Sequence, residues 1–240
     1  MENIEYPIRI NKYLAWKKYC SRREADAAIL KGRVKINGRF ASLGDKVGKD
    51  DKVEYVSDLR KSLVYIAHNK PKGIVTHSPE RGQKDIKNIL LSGSTAKLKD
   101  VFPLGRLDRA SHGLIILTND GRVTDRLLNP KHEHEKEYIV KVDKPINRMD
   151  LSSMEKGVWL EDFKTKPCKA KKIKNDTFSV IITEGKKHQI RRMCEKFGYT
   201  VKDLERIRVM GVELGSLKPG EFRILKGNEI ESFLRALDLR

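Results

Sequence analysis

The sequence predicts an α+β chain of two units, a small basic one followed by a larger one with a mixed, mainly antiparallel sheet flanked by helices. Three observations carry that prediction. Segments with strand alternation outnumber those with helical spacing, and turns of hairpin size join most of them. At 240 residues the chain has the length for one large or two modest cores. A stretch without period at 58–62 reads as a linker between residues 8–57 and 63–235.

In the first unit, Ile10, Tyr13 and Leu14 have helical spacing. Ser21-Arg22-Arg23-Glu24 fits a capping box, Ala25, Ala28 and Ile29 form an apolar stripe behind it, and Gly32 closes the helix. Val34 and Ile36 then alternate with basic residues into an Asn37-Gly38 hairpin, and Val53 and Tyr55 suggest a closing strand. Residues 9–40 hold ten Lys and Arg against two acids, Glu24 and Asp26. Lys17, Lys18, Arg22, Arg23, Lys31, Arg33, Lys35 and Arg39 gather around the helix turn and hairpin. A solvated face usually mixes its signs, so this shortage of acids predicts a polyanion-binding face.

The whole chain points the same way. It is 38% hydrophobic and 35% charged, with a formal net charge of +18. Nucleic acid is the partner this favours, because no apolar run approaches the roughly 20 residues of a membrane span. The start, MENIEYPIRI, lacks the pattern of a secretory signal, so a cytoplasmic location is expected. Cys20, Cys168 and Cys194 are too few and too scattered for a disulfide framework or a zinc site, and His132-Glu133-His134 puts two imidazoles on one face of a strand without further ligands. No metal is expected.

In the second unit Val64–Ala67 reads as a strand, Lys70-Pro71-Lys72-Gly73 as a turn with a solvated lysine, and Ile74–Thr76 as another strand. Residues 79–99 are polar and read as a mobile or RNA-contacting segment. Gly113–Thr118 is a buried strand ending in the turn residues Asn119-Asp120-Gly121. A helix through Val123, Leu127 and Leu128 stops at Asn129-Pro130. Tyr138, Val140 and Val142 alternate as a strand, Leu151–Lys156 is a short helix, and Phe178–Ile182 is a strand. Ile190, Met193, Cys194 and Phe197 make a helix stripe capped by Gly198, and a last helix carries Ile230, Phe233, Leu234 and Leu237.

The stretch with chemistry in it is GRLDRASHGLIILTNDG, residues 105–121, where Asp108 stands between Arg106 and Arg109 at the entrance to the buried strand. A rigid element holds a catalytic group best, although spacing alone favours the commoner reading, a carboxylate making loop hydrogen bonds or an ion pair. The long run resembles the catalytic signature of the RsuA-like family of ribosomal RNA pseudouridine synthases. NKPKGIVT, HEKEY and HQIRRM are similar to further motifs of that family, and the N-terminal unit resembles the S4-like RNA-binding domain such enzymes carry ahead of a pseudouridine synthase catalytic domain. Within the family the chain looks most like the F type, whose substrate is the 23S rRNA.

The resemblance implies a cofactor-free isomerase with Asp108 as its essential aspartate, Tyr138 against the uracil ring and Arg191 paired with Asp108. It also implies that Arg106 holds the loop or helps evict the base, and that Arg192 faces RNA. Whether Asp108 attacks the sugar or removes its C2′ proton stays open. So does the choice of substrate among 23S rRNA, 16S rRNA and a tRNA loop. A monomer is expected. The competing class is a non-catalytic S4-type ribosome assembly factor, which would leave GRLD, KEY and HQIRR without a purpose.

Overall fold

The structure, a computed structural model, describes residues 5–56, 63–76, 85–86 and 100–239. The expected linker at 58–62 and nearly all of the polar segment 79–99 lie outside the described residues.

The first unit comprises β1 (Ile8–Arg9), α1 (Ile10–Trp16), α2 (Arg22–Leu30), β2 (Val34–Ile36), β3 (Arg39–Phe40), β4 (Lys46–Val47) and β5 (Val53–Tyr55). The capping box forms as expected: Glu24 N donates to Ser21 Oγ at 3.3 Å, and Ser21 N donates to Glu24 Oε2 at 2.9 Å. Asn37 and Gly38 both have positive φ, as a two-residue hairpin matched to strand twist requires. Ile10, Leu14, Ala25, Ile29, Val34 and Val47 close a core of their own beneath the two helices.

The second unit holds β6 (Tyr65–Lys70), β7 (Phe102–Leu104), β8 (His112–Thr118), α3 (Arg122–Leu128), β9 (Lys136–Val142), α4 (Arg148–Glu155), β10 (Lys169–Lys174) and β11 (Thr177–Ile182). It continues through α5 (Gln189–Lys196), β12 (Val201–Val209), β13 (Val212–Glu213), β14 (Phe222–Ile224) and α6 (Gly227–Ala236). Its sheet runs β10-β11-β9-β12-β8-β6-β14, with β7 on β8 and β13 on β12. Every pairing is antiparallel except β12 with β8. The mixed, mainly antiparallel sheet is therefore as expected, but its order is not hairpin-built. Among the described residues helices intervene between β8 and β9, β9 and β10, and β11 and β12, and the strands of this sheet that pair with their neighbour in sequence are β7 with β8, β10 with β11 and β12 with β13.

The parallel β8–β12 contact is the seam between two cores. On one side Tyr138, Val140, Phe178, Val180, Ile190, Met193 and Leu204 pack under α5 and α4. On the other Tyr65, Leu114, Ile116, Leu127, Phe233 and Leu237 pack under α3 and α6. Ile115 and Leu117, on the second face of β8, are buried against Ile66 and Val101, which explains the unbroken apolar run.

Three local expectations are corrected. The first strand extends to Lys70, and the second is reduced to one bridge between Val75 and Asp85. His132 and Glu133 lie in and just after a short 3₁₀ turn at Pro130–His132, so the histidines are not alternate residues of a strand. Gly121 has an ordinary helical φ of −64°; what requires glycine is Ser21 of the first unit, whose Cβ would stand 2.4 Å from a side chain there.

At the seam Gly113 has φ +100°, and a Cβ would lie 2.4 Å from Arg206 O. Neither strain nor clash can relax without parting β8 from β12. Gly113→Ala is expected to cost about 3 kcal/mol or more of unfolding free energy, read from denaturant titration. A midpoint equal to wild type would show that the seam is not close-packed.

Candidate active site

The connection between β7 and β8 is the loop 105–111 that contains Asp108. Its backbone is fixed on several sides. Ser111 N donates to Asp108 O at 3.0 Å, closing a turn around the acid. The Thr76 hydroxyl accepts from Leu107 N at 3.0 Å and lies 2.8 Å from Leu107 O, to which it donates, while the Leu107 side chain is buried in the core with Tyr138. Gly73 N donates to Arg109 O at 2.8 Å, and Arg109 Nε returns a bond to Gly73 O at 3.1 Å. The KPKG turn and the RLDR loop therefore interlock. Asp108 projects from this clamp with its side chain 38% exposed, open to solvent but not free to wander.

Two basic side chains stand near its carboxylate. His188 Nε2 lies 3.5 Å from Asp108 Oδ1. His188 occupies the cap of α5 with φ +54°, and the loop leading to it is held by Glu184, which accepts from Lys166 N at 2.8 Å and Gln189 Nε2 at 2.7 Å. The other is Lys70, which is fully buried, in contrast to the solvated turn lysine expected. Its Nζ donates to Pro71 O at 3.0 Å and Ile74 O at 2.7 Å. Burial pushes its pKa down to about 8, with the charge of Asp108 opposing that shift and Arg206 adding to it.

Registers of the sheet explain why these groups meet. Lys70 pairs with Gly113, Gly113 with Arg206, and Arg206 with Tyr138, one rung across four strands. Directly paired residues share a face. Arg206 is only 4% exposed and its Nε donates to Leu114 O at 2.7 Å, while Tyr138 is buried beside it. The glycine leaves the middle of the rung without a side chain.

Arg191 reaches the same loop but grips its backbone. Its guanidinium donates to Ala110 O at 3.4 Å, Ser111 Oγ at 3.3 Å and Val201 O at 3.3 Å, and no ion pair joins it to Asp108 among the described residues. Beside the carboxylate stands His188, at 3.5 Å, and Lys70 lies close enough to feel its charge. His188 belongs to the HQIRRM run, but only its place just ahead of the helix, beside the loop, shows what it touches.

Of the other expected contacts, Lys17, Lys18, Arg22 and Arg23 line a groove between the two units together with Arg106 and Arg122. Lys18 is ion-paired with Asp238 beyond α6. Arg39 pairs with Asp45 at 2.8 Å, Lys35 lies 4.8 Å over the Phe40 ring, and Arg33 is half-buried on the same hairpin. Arg192 is ion-paired with Asp162 and covers the Phe163 ring at 5.4 Å, so it is less free than a solvent-facing cation.

The buried lysine makes a pH prediction. Between about pH 8 and its ordinary 10.5, Lys70 is neutral in the folded protein and charged in the unfolded chain. Unfolding then takes up a proton, so this group's contribution to stability rises with pH. Lys136, also lowered to about 8 by burial, acts with the same sign, and the burial-raised thiols of Cys20, Cys168 and Cys194 act against it. The difference in unfolding free energy, wild type minus Lys70→Met, is therefore expected to grow by on the order of 1–3 kcal/mol from about pH 8 to about pH 10. Urea titration at the two pH values measures it, and a constant difference would mean that burial does not lower the Lys70 pKa.

Residues 64–196 match the family described as RNA pseudouridylate synthase, and residues 8–53 match the S4 domain. Over 236 residues the chain is 42% identical to the dual-specificity RNA pseudouridine synthase RluF of Escherichia coli K12, spanning 96% of this chain and 80% of that protein. It is 38% identical to an uncharacterized RNA pseudouridine synthase of Aquifex aeolicus, covering 97% of this chain and 96% of the relative. A crystal structure of a pseudouridylate synthase superposes with a TM-score of 0.70 at 29% identity, over 96% of this chain and 99% of the other. A clamped, half-exposed carboxylate on a strand hairpin thus sits in a chain that belongs to the RNA pseudouridylate synthase family, with an S4 domain ahead of its catalytic domain.

Proposed function

We propose that this enzyme isomerises a specific uridine of 23S rRNA to pseudouridine, with Asp108 as its catalytic carboxylate. The observation that carries the assignment is the clamp: the loop backbone on either side of Asp108 is bonded to Thr76 and Gly73, so the carboxylate is presented at a fixed point. The reaction breaks the C1′–N1 bond, turns the uracil and rejoins it through C5, while the C5 hydrogen leaves and N1 gains a proton. Nothing is transferred to or from a second molecule, so no cofactor is needed.

The protein supplies an oxygen beside the sugar, a surface for the loose base and shelter from water. Asp108 provides the oxygen, whether it attacks the sugar carbon or removes the C2′ proton. Tyr138 offers a rigid aromatic edge to the uracil, and Arg191 holds the loop from behind through Ala110 and Ser111. Lys70 and His188 offset the cost of covering an anion with a nucleotide. Arg106, at the groove between the units, is placed to meet the RNA strand beside the extruded base.

Extruding the uridine costs a few kcal/mol, which binding elsewhere must offset. Residues 8–57 are proposed to supply that binding through Lys17, Lys18, Arg22, Arg23, Arg33, Lys35 and Arg39, while 63–235 perform the chemistry. The dual specificity in the name of the Escherichia coli relative supports a second RNA substrate, and a tRNA loop is the one proposed. Action in the cytoplasm as a monomer fits these substrates, and no helix among the described residues is long and apolar enough to cross a membrane.

Tritium release from RNA labelled at uridine C5 tests the chemistry, because only rejoining through C5 expels that hydrogen. Wild type is expected to release label from 23S rRNA and Asp108→Asn to release none while still binding it. Release by the variant would remove Asp108 from the catalytic role, and release from 16S rRNA instead would move the substrate. Deleting residues 1–60 is expected to raise the RNA concentration needed for half-maximal rate at least tenfold. An unchanged requirement would end the division of labour.

A further inference from the structure

Between α4 and β10 the chain forms a small hairpin that the catalytic machinery does not use. Thr165 N donates to Val158 O at 2.9 Å, Leu160 N donates to Phe163 O at 2.9 Å, and Trp159 bridges Lys164 between them. Gly157, with φ +84°, permits the close approach, since a Cβ would lie 2.5 Å from Thr165 O. Val158 points into the core, and alternation then turns Trp159 outward, where it is 68% exposed. A rigid indole held in water has no folding purpose, and its cross-strand partner on the same face is a lysine.

The hairpin is also tied to the loop that reaches Asp108. Asp162 at its tip is ion-paired with Arg192 of α5, and the Phe163 ring lies 4.0 Å from Lys186 Nζ. Lys186 is two residues from His188, which stands 3.5 Å from Asp108. Two residues span at most about 7 Å of chain. The hairpin therefore flanks the catalytic cleft, and the exposed Lys156, Lys164 and Lys187 on it, beside it in sequence or on the loop it touches are basic.

We propose that Trp159 is a stacking platform for an unpaired base of the RNA strand adjoining the target uridine, with Lys164 taking the neighbouring phosphate. Flat, exposed aromatics among cations are how proteins hold single-stranded RNA without reading its sequence. The charge complementarity favours RNA over a protein partner. Of the two acids in the turn, Asp162 is neutralised by its ion pair with Arg192, which leaves Glu161 as a single negative charge among the lysines. The proposal rests on the reading that Asp108 marks the RNA cleft.

The chain has two tryptophans, Trp16 and Trp159, so a Trp16→Phe background makes the second a specific reporter. Titration with a short single-stranded oligouridylate is expected to quench its fluorescence. Trp159→Ala is expected to weaken binding roughly five- to hundredfold, with Trp159→Phe close to wild type. Tritium release at saturating RNA should be unchanged, so a failed platform is distinguishable from a failed active site. Absent quenching together with unaltered affinity of Trp159→Ala overturns the proposal. So does a variant that binds RNA normally but no longer co-sediments with ribosomal proteins, which would give the indole a protein partner instead.

Discussion

The close approach of β8 and β12 at Gly113 is the constraint on which the remaining architecture depends. Each flanking strand set has its own helices and its own core, and the two meet through a short parallel pairing, Glu205 with His112 and Arg206 with Gly113. A side chain at Gly113 would strike Arg206 backbone, so that contact exists only because glycine accepts both the φ and the proximity. The same rung carries Lys70 and Tyr138, and the loop bearing Asp108 enters β8 just before it. Sheet assembly and site assembly are therefore one event, because the strands cannot pair in register without bringing those groups together.

Electrostatics follow from that geometry. Lys70 and Arg206 are buried and Lys136 is partly so, and burial of a cation is unfavourable unless carbonyls or an anion compensate. Carbonyl oxygens serve each of them: Pro71 and Ile74 for Lys70, Leu114 for Arg206, and His134 for Lys136. These bonds satisfy the donors but leave net positive charge behind the cleft. Asp108 balances part of it, and a nucleic acid phosphate approaching the cleft meets a field already favourable to it.

Where local chemistry decides the structure, the sequence is readable. Ser21 and Glu24 cap α2 because their spacing allows nothing else so favourable, and Asn37-Gly38 turns the chain because both residues tolerate positive φ. The long GRLD resemblance locates the acid for a different reason, family likeness, which spacing alone does not supply. What stays illegible is decided by tertiary contact. Lys70 looks like a solvated turn residue, since nothing in KPKG announces that Ile74 O will fold back over its ammonium. Arg191 is expected on Asp108, yet its guanidinium is held by Val201, Ala110 and Ser111, partners 10, 81 and 80 residues away. Gly121 reads as a turn glycine although its small size is required by Ser21, a residue of the other unit.

That last contact bears on how the two units cooperate. Lys18 pairs with Asp238, but the side chains are 40% and 80% exposed, and such a pair contributes at most about 1 kcal/mol and less in salt. Arg126 adds a bond to Leu237 O at 2.7 Å from within the catalytic unit, so the acceptor end of the pair is anchored independently of Lys18. Ser21 against Gly121 is a steric fit, insensitive to salt and dependent on shape alone. The polar link between the units is thus one in which a phosphate can replace a carboxylate at little cost, whereas the packed link cannot exchange partners. Positive charge at the groove is therefore available to an anion without disturbing the fit between the units, which packing sets.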